Sequence, residues 1–464
     1  FEGFSLSNTF AVADICINHP PETRKMKVMK FGGTSVGKPE RMHEVAKLIT
    51  VGDENKIIVL SALSGTTNSL VEISISLSQG DRAGAKQQID ALEKHYQQFI
   101  LQLVKTDDAI AKAKNIIAEH FEFLNIILKI SYSEALNKDI LAQGELLSTK
   151  LFSTYLESQG IDHLLIPALD FMTIDNYDEP QIGSIKVKLS QILKKHKDKK
   201  IFVTQGYISR NSKGEIDNLK RGGSDYSASL IAAAINASVC EIWTDIDGMH
   251  NNDPRVVSKT VAIEQLSFEE AAELAYFGAK ILHPASIWPA QFYNVPVKLL
   301  NTMQPDAKGT LITQLAGSVG VKAVAAKDSI TAIRIKSSRM LLAYGFLRKI
   351  FEVFEKHRTA IDMITTSEVG VSLSIDDDSN LPQIIKELEP FGTIEIDTNQ
   401  SIVSIVGNEI TQTKDILQKL FDSISTIPIR MVSYGGSSHN ISILISRNDK
   451  EKALQLLNSG LFGL

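Results

Sequence analysis

Residues 28–37 read VMKFGGTSVG, an apolar strand that ends just after Lys30 and turns at once through Gly32 and Gly33. The two glycines lack side chains that would hold backbone N–H groups away from an anion, and Lys30 can place a positive charge on it. The stretch therefore predicts the first strand of an α/β fold, followed by a turn that binds phosphate and includes Ser35. A strand followed by a glycine turn also occurs in α/β folds without a ligand, so the stretch alone leaves both interpretations open.

Outward from this turn, short apolar runs alternate with helical stretches through most of the chain. This alternation predicts a largely parallel sheet covered by helices on both faces. The predicted strands span residues 27–31, 56–60, 164–166, 200–204, 239–244 and 295–299. A long helix with a core-facing stripe is predicted from apolar residues at helical spacing, namely Ile89, Leu92, Tyr96, Phe99 and Leu103.

The composition is that of an ordinary soluble globular protein. Hydrophobic residues make up 43% and charged residues 22%, and the net charge is −5, which gives no indication of nucleic acid binding. Cys16 and Cys240 are the only two cysteines, so a disulfide framework is excluded and a reducing compartment is indicated. Apolar runs fall short of the roughly 20 residues that a membrane span needs. We expect a cytoplasmic protein that binds neither nucleic acid nor membrane.

The length of 464 residues predicts two or three domains, because single cores rarely grow beyond roughly 250 to 300 residues. Residues 1–25, which do not begin with Met, are interpreted as an N-terminal extension that need not be ordered. A stretch rich in Gly, Pro and small polar residues, 304–320, marks a domain boundary. We expect an α/β domain over 26–315 and two smaller domains over 316–390 and 391–464, with interleaving of these two left open.

The two smaller domains are predicted from an internal repeat. With an offset of 70 residues, from 351 to 421, the sequence pairs Leu347, Lys349, Ile350 and Phe351 with Leu417, Lys419, Leu420 and Phe421. Each helix precedes two predicted strands, at 361–365 with 371–375 and at 429–433 with 441–445. Two copies of a small α+β unit fit this pattern. Such units commonly pair through their sheets, which creates a ligand site between them or between subunits.

A second cluster, LKRGGSDYSA at 219–228, combines an arginine with two glycines and a helix start. Arg221 offers a planar fork of donors that suits a carboxylate, while the glycines let the backbone approach a ligand. Ser224 and Asp225 begin the predicted helix. The cluster favours a substrate that carries a carboxylate and an amine. The alternative is an ordinary helix N-cap beside a surface arginine.

A third stretch, WTDIDGMHNNDPR at 243–255, begins where a buried strand ends. Thr244, Asp245 and Asp247 follow that strand at the edge where parallel sheets bind ligands, and an Asp-Pro turn leads to Arg255. A nucleotide fits this edge. A tight solvent-exposed loop would need the same residue types, so this stretch alone does not decide between them.

Three shorter motifs also follow predicted strands or open predicted helices. FGAKILHP at 277–284 places Lys280 after a helix rich in Glu and Ala, either aimed at the same sheet edge or solvated at the helix end. SALSGTTN at 61–68 follows the second apolar strand, and Gln143-Gly144-Glu145 precedes a helical run, as a generic helix start would. Each motif alone is generic, and their joint occurrence along one sheet favours a shared site.

Taken together and in this order, the motifs resemble those of the aspartate kinase family. The resemblance rests on KFGGTSVG, SALSGTTN, QGELLS, RGGSDY, WTDIDG with NNDPRVV, FGAKILHP, ITTSEVGVSLS and YGGSSHNISIL, and it extends from Met26 to the C terminus. It implies the amino acid kinase fold followed by two α+β ACT domains of the ferredoxin-like kind. It also implies ATP-dependent phosphorylation of L-aspartate to 4-phospho-L-aspartate, the first step toward lysine, threonine and methionine.

The resemblance assigns roles to individual residues of this chain. The implied catalytic residues are Lys30, Asp225 and Lys280. The implied substrate-binding residues are Thr67, Glu145, Arg221 and Ser224, with Arg221 on the α-carboxylate and Glu145 near the amine. The implied nucleotide-binding residues are Gly32, Gly33, Ser35, Thr244, Asp245, His250 and Arg255.

The implied chemistry needs no general base, because a side-chain carboxylate is already ionised at neutral pH. Positioning and charge neutralisation must then supply the catalysis, through Lys30, Lys280, backbone N–H groups and Mg²⁺. We expect Mg²⁺ to bind mainly through the nucleotide phosphates, and no metal site made of protein side chains is predicted.

An amino acid effector is implied at the paired ACT domains, near Met340, Asp362, Ser367 and Glu368. Lysine is the first expectation, and pairing of these domains predicts a homodimer or homotetramer. Family members often carry Tyr where this chain has His250, so the nucleotide contact there can differ. Lysine-sensitive relatives often carry Ser where it has Ala343, so threonine or a combined response stays open.

Two other functions stay open on the sequence. Another amino acid kinase, for glutamate or acetylglutamate, would share the glycine turn and the lysines but not the C-terminal repeats. A non-catalytic amino acid sensor would keep the repeats and could dispense with Lys30, Arg221 and Lys280, all of which are present. Because the sequence stops soon after the second repeat, we expect no fused homoserine dehydrogenase domain in it.

Overall fold

The computed structural model describes residues 26–219, 222–278, 282–315, 317–337 and 344–464. The predicted N-terminal extension, residues 1–25, lies outside these ranges. The described chain forms an N-terminal part, residues 26–315, with an eight-stranded sheet, and a C-terminal part, residues 317–464, with a six-stranded sheet. Within the described ranges, no helix combines the length and apolar character needed to cross a membrane.

The N-terminal part has the predicted α/β architecture. Its strands are β1 (Met26–Phe31), β2 (Asn55–Leu60), β3 (Leu164–Leu165), β4 (Ile201–Gln205), β5 (Ile208–Arg210), β6 (Ile216–Asn218), β7 (Cys240–Thr244), β8 (Gln265–Ser267), β9 (Val297–Asn301) and β10 (Thr310–Thr313). Its helices are α1 (Gly33–Val36), α2 (Pro39–Thr50), α3 (Thr66–Ser78), α4 (Arg82–Leu103), α5 (Asp107–Ile127), α6 (Glu134–Ser158), α7 (Ile182–Lys195), α8 (Gly223–Ile235), α9 (Phe268–Tyr276) and α10 (Trp288–Phe292).

The eight strands follow the order β3-β4-β2-β1-β7-β9-β10-β8. The first six strands in this order, β3, β4, β2, β1, β7 and β9, are parallel to one another, whereas β10 pairs antiparallel with β9. The six predicted strands are confirmed to within two residues at each end. β8 and β10 were not predicted, and β10 lies inside the stretch 304–320 that we interpreted as a boundary. Strands of three or four residues are too short to show a pattern, and β10 is defined by its pairing with β9.

The topology gathers the predicted motifs at one edge of this sheet. β1 lies between β2 and β7, so the strand order reverses its direction beside β1. Ligands of open α/β sheets bind at such a point. The carboxyl ends of β1, β2, β4 and β7 continue into Gly32, Ser61, Gly206 and Asp245. These four loops therefore lie at the same end of neighbouring strands.

Two buried clusters cover the two faces of the sheet. Val28 of β1 packs in one cluster with Ile231 of α8, while Met29 and Phe31 pack in the other. Because side chains alternate along a strand, Lys30 faces the side that carries α8. The predicted stripe on α4 is confirmed, since each of its five residues is at most 6% exposed.

The C-terminal part is an antiparallel sheet with helices against it. Its strands are β11 (Gly320–Lys336), β12 (Ile364–Ser367), β13 (Gly370–Ile375), β14 (Thr393–Asn408), β15 (Ile429–Ser433) and β16 (Asn440–Ser446). Its helices are α11 (Phe346–Lys356), α12 (Leu381–Leu388), α13 (Ile416–Ser423) and α14 (Lys450–Phe462). The strand order is β12-β13-β11-β14-β16-β15, with antiparallel pairing throughout.

The two repeats form two small cores that share the long strands β11 and β14. Ile350 of α11 and the matching Leu420 of α13 are both fully buried, each in its own core. Val324, in the first half of β11, packs in the core of Leu420, whereas Ile333, in its second half, packs in the core of Ile350. The two units are therefore not two consecutive segments of the chain, because each includes part of β11.

Candidate active site

Three of the predicted motifs pack together because glycines let their backbones approach. A Cβ on Gly33 would lie 3.1 Å from the carbonyl oxygen of Ala62, and a Cβ on Gly144 would lie 2.8 Å from the Cβ of Ala62. Ser148 Oγ donates a hydrogen bond to the Ser61 carbonyl at 2.7 Å. The turn after β1, the loop after β2 and the helix α6 therefore form one packed unit at the sheet edge.

Glu145 is buried inside this unit with one carboxylate oxygen unsatisfied. Its Oε1 accepts the backbone N–H of Ala62 at 3.2 Å, whereas no donor in the described ranges bonds to Oε2. Burial raises the pKa of Glu145 to about 7, and hydrogen bonds from backbone N–H groups and the charge of Lys30 act in the opposite direction. A buried acceptor without a donor is costly, so this site favours a ligand that supplies one, such as an ammonium group.

Lys30 and Asp225 are brought into contact across the layer between β1 and α8. The Nζ of Lys30 lies 2.7 Å from Oδ1 of Asp225 in the first turn of α8, and both side chains are largely buried. A Cβ on Gly32 would lie 3.2 Å from the same Nζ, so the ammonium group lies against the backbone of the glycine turn. The structure thus places a positive charge at the turn that the sequence predicts to bind phosphate.

Two further predicted substrate-binding residues, Ser224 and Thr67, differ in exposure. Ser224 is buried next to the end of β4. A Cβ on Gly206 would lie 2.4 Å from the Cβ of Ser224. Thr67 is exposed on the first turn of α3, beside Thr66, whose hydroxyl lies 2.9 Å from Tyr96 Oη.

Ser35, a predicted nucleotide-binding residue, lies behind the glycine turn. Its side chain is fully buried, with Oγ 2.7 Å from the hydroxyl of Thr302 and 3.3 Å from the carbonyl of Trp243. The short helix α1 turns this hydroxyl toward the sheet, so it supports the glycine turn from behind. Its contact with a nucleotide stays a prediction from the sequence.

A cavity of about 440 Å³ opens at the end of β7, within the range usual for small-molecule sites. Thr244 and Asp245 lie at its edge, and the hydroxyl of Thr244 donates to Oδ1 of Asp245 at 3.1 Å. Its lining also includes Leu274 and Gly278 of the N-terminal part, and residues 324–326 of β11. Lys450 and Leu454 of α14 complete the wall. Apolar walls with charged groups at the rim suit a flat base that carries a charged tail.

His250 and Arg255 both line this cavity and both have partners within the loop. The imidazole of His250 bonds through Nε2 to Asp247 Oδ1 at 2.7 Å and through Nδ1 to Thr260 Oγ1 at 2.9 Å. Both ring nitrogens therefore hold the loop, so His250 keeps neither of them for a ligand in this arrangement. Arg255 donates from Nε and Nη2 to the two carboxylate oxygens of Asp253 at 2.9 and 2.8 Å, which lowers the pKa of Asp253. Its side chain is still 76% exposed at the cavity rim.

Three predicted residues, Arg221, Lys280 and Met340, lie outside the described ranges. Their roles therefore stay predictions from the sequence. Gly222, the residue after Arg221, is the N-cap of α8 and has a φ of +63°, and Gly278, two residues before Lys280, lines the cavity.

Comparison with known proteins agrees with this geometry. Residues 25–301 match the model of the amino acid kinase family, and residues 403–461 match that of an ACT domain. The lysine-sensitive aspartokinase 3 of Escherichia coli strain K12 is 34% identical over 447 residues, which cover 94% of this chain and 99% of that protein. The chain belongs to the aspartokinase family. Its enzymatic activity is that of an aspartate kinase, a phosphotransferase with a carboxyl group as acceptor.

Solved structures of E. coli aspartokinase III match the kinase over 94% of its length and over 100% of theirs. The R-state structure in complex with aspartate and ADP has a TM-score of 0.80 at 32% identity. The T-state structure in complex with lysine and aspartate has a TM-score of 0.78 at 32% identity. The predicted fold, an amino acid kinase domain followed by ACT domains, is therefore confirmed.

The predicted effector residues of this aspartokinase lie in two places. The Asp362 side chain is 1% exposed, and its Oδ1 accepts hydrogen bonds from Tyr276 Oη at 2.6 Å and from Lys327 Nζ at 2.9 Å. Asp362 lines a cavity of about 260 Å³ beside α9. Ser367 instead lines an open cleft of about 850 Å³, and Glu368 is exposed on the turn between β12 and β13. In this conformation Asp362 and Ser367 line different cavities.

Sequence reasoning missed two residues of the cavity at the end of β7 and one pairing inside its loop. The pairing of Asp247 with His250, three residues later in the same motif, could have been anticipated from their spacing. Lys450 and Leu454 carry no motif, and they reach the cavity only because α14 packs against the N-terminal part.

Proposed function

We propose that the enzyme transfers the γ-phosphoryl group of ATP to the side-chain carboxylate of L-aspartate, releasing ADP and 4-phospho-L-aspartate. The observation that carries the proposal is the unsatisfied carboxylate oxygen of buried Glu145. The charge of Lys30 acts on this carboxylate and lowers the pKa of Glu145. Glu145 suits the ammonium group of an amino acid, and Lys30 suits phosphoryl oxygens. The complex of E. coli aspartokinase III with aspartate and ADP supports this assignment.

In the proposed reaction, the ionised aspartate carboxylate attacks the γ-phosphorus directly. One oxygen–phosphorus bond forms while the bond from that phosphorus to the bridging oxygen of ADP breaks, and no proton needs to be removed. Lys30 and the backbone of the glycine turn stabilise the negative charge on the phosphoryl oxygens. Asp225 holds Lys30 in place, while Arg221 on the α-carboxylate and Lys280 on the phosphates complete the proposed site.

Mg²⁺ fits this proposal as an ion held mainly by the nucleotide phosphates. Among the residues that the structure describes, no group of three or more His, Cys, Asp and Glu side chains is placed to hold a metal ion. Asp245, exposed at the cavity rim, can add one carboxylate oxygen or a contact through water. Mg²⁺ prefers such oxygen ligands and usually retains several waters. When bound, it supplies neutralisation of the phosphate charge.

We also propose that an amino acid end product inhibits the enzyme through the C-terminal part, with lysine the first candidate and threonine the second. The reaction would then be the first step toward lysine, threonine and methionine, in the cytoplasm. The lysine-sensitive relative and the lysine complex of E. coli aspartokinase III support this choice. Inhibition follows if the effector binds an inactive state more tightly than the active one. Assembly into a homodimer or homotetramer through the ACT domains belongs to the same proposal.

A coupled assay of ADP release with the purified full chain tests the proposed reaction. We expect release with L-aspartate and ATP, and little with L-glutamate or N-acetylglutamate. Trapping with hydroxylamine should yield aspartyl hydroxamate, which shows that the product is an acyl phosphate. Absence of release with L-aspartate, or equal release with L-glutamate, would contradict the assignment. Lysine and threonine added separately test the regulation, and no inhibition by either would remove that part.

A further inference from the structure

The nucleotide cavity of this enzyme is closed on one side by the last helix of the chain. Lys450 and Leu454 of α14 line it together with the loop that carries Asp245 and Arg255. We propose that α14 forms a wall of the nucleotide site, with Lys450 binding the nucleotide through its positive charge and Leu454 packing against it. This inference rests on the proposed function, since it assigns ATP and ADP to the same cavity.

A buried network of three asparagines fixes α14 against the nucleotide loop. Asn252 Nδ2 donates to the carbonyl of Leu454 at 3.0 Å, and Asn458 Oδ1 accepts from the side chains of Asn251 and Asn252 at 3.3 Å each. Asn458 Nδ2 in turn donates to the carbonyl of Lys259 at 3.0 Å. The three asparagines are at most 5% exposed. Buried amides bonded in this way define one relative position of loop and helix.

Backbone contacts bring β11 to the same wall. The N–H of Val324 donates to the carbonyl of Asn251 at 2.8 Å, and a Cβ on Gly278 would lie 2.2 Å from the carbonyl oxygen of Ala326. Val257 of the nucleotide loop packs in the buried core that also contains Val324 and α14. The loop is therefore anchored in the core of the C-terminal part, so this wall belongs to the folded structure of both parts.

Lys450 lines the cavity while its ammonium group is held by an ion pair with Asp328. Its Nζ lies 2.7 Å from Oδ2 of Asp328, whose other oxygen accepts the hydroxyl of Ser401 at 2.7 Å. The Lys450 side chain is 21% exposed. Arg255, through its hydrogen bonds and charge, and more weakly the charge of Lys450, lower the pKa of Asp253, and all three residues line the same cavity. Arg255 and Lys450 thus bring two cations to the cavity from two parts of the chain, each paired with a carboxylate, and nucleotide phosphates can compete with those carboxylates for them.

The test measures ADP binding by calorimetry and the KM values for ATP and aspartate in the full chain. We expect Lys450→Met to raise the ADP Kd and the KM for ATP by about 3- to 10-fold, and to change the KM for aspartate by less than about twofold. The matched control is Lys452→Met, which removes an exposed lysine of the same helix and should leave all three values unchanged. Asp328→Asn removes the ion pair but keeps the ammonium group, so ADP should bind as tightly as before or more tightly.

Three outcomes would overturn the inference. They are an unchanged ADP Kd in Lys450→Met, an equal rise of both KM values, and an Asp328→Asn variant that reproduces the loss seen in Lys450→Met. The last outcome would show that the ion pair matters only for structure. A wild-type chain that binds ADP but releases none with aspartate would instead contradict the proposed function, while the ADP titrations would still test the wall.

Discussion

The two ends of the proposed active site are built in different ways. On the aspartate side, Lys30, Asp225 and Glu145 all come from the N-terminal part and are largely or fully buried. On the nucleotide side, the cavity is lined by both parts, the N-terminal loop around Asp245 and the C-terminal helix α14. A site inside one packed core keeps its arrangement while that core is folded, whereas a site shared by two parts changes when they shift. We infer that an effector acting on the C-terminal part reaches the nucleotide side first.

A second contact between the parts lies directly beside the nucleotide cavity. Tyr276 ends α9, two residues before Gly278, and its hydroxyl donates to Asp362 of the C-terminal part. The ammonium group of Lys327 lies 4.2 Å from the centre of the Tyr276 ring and also pairs with Asp362. An effector that binds Asp362 would therefore compete with contacts that position the end of α9.

The largest effect is expected on the aspartate side, from Lys30→Met. Removing the ammonium group leaves the phosphoryl charge unstabilised, so kcat should fall by about 10²- to 10³-fold, while the ADP Kd changes much less. Lys27→Met is the matched control, because Lys27 lies on the same strand and pairs with Glu54 at 2.6 Å, away from the site. An unchanged turnover number in Lys30→Met would contradict the catalytic role.

Glu145→Gln should affect aspartate and leave the nucleotide side untouched. The amide cannot pair with the substrate ammonium group as a charge does, so the KM for aspartate should rise by about 10- to 100-fold. The KM for ATP should stay within about twofold, because Glu145 and the shared cavity belong to different ends of the site. Glu134→Gln, at the exposed start of the same helix, serves as control. Equal changes of both KM values would mean that the two ends are not separate.

The pH profile sharpens the same comparison. The pKa of Glu145 is raised by burial to about 7, so its carboxylate is ionised above that pH and neutral below it. Only the ionised form attracts the aspartate ammonium group, so kcat/KM for aspartate should fall by about tenfold per pH unit below pH 7. The measurement is kcat/KM from pH 5.5 to 8.5 for the wild type and Glu145→Gln. A profile that bends at the same pH in both would assign the titration to another group.

The smallest effect is expected from Tyr276→Phe, at the contact between the parts. The variant frees Oδ1 of Asp362 from one donor, so the inhibitory amino acid should bind about 3- to 5-fold more tightly, with kcat within about twofold. Tyr293→Phe is the matched control, since Tyr293 is exposed on the N-terminal part. Inhibition curves with lysine and threonine measure the change. A weaker or unchanged response would remove Asp362 from the effector site.

The sequence predicted the elements whose signals are local. β1, β2 and β7 carry short, mainly apolar runs that lead into motif residues, so both their positions and the edge they share followed from pattern. The contact between Lys30 and Asp225 agrees with the site predicted from two separate motifs. β14 was not predicted, because it runs through two cores and its pattern of buried residues changes along its length. The contact of Ser35 with Thr302 was not predicted, because spacing alone does not show that α1 turns this hydroxyl toward the sheet.

By itself, the sequence determined the kinase fold, the glycine turn after β1 and the paired repeats, because each shows in short motifs of fixed residue types. Only the tertiary structure decided that Glu145 keeps an unsatisfied oxygen and that Lys450 reaches the nucleotide cavity. Burial and contact between residues far apart in the chain exist only once helices and sheets have packed. The physical reason is that the pKa and the interaction energy of an ammonium or carboxylate group depend on the groups around it, and packing brings those groups together.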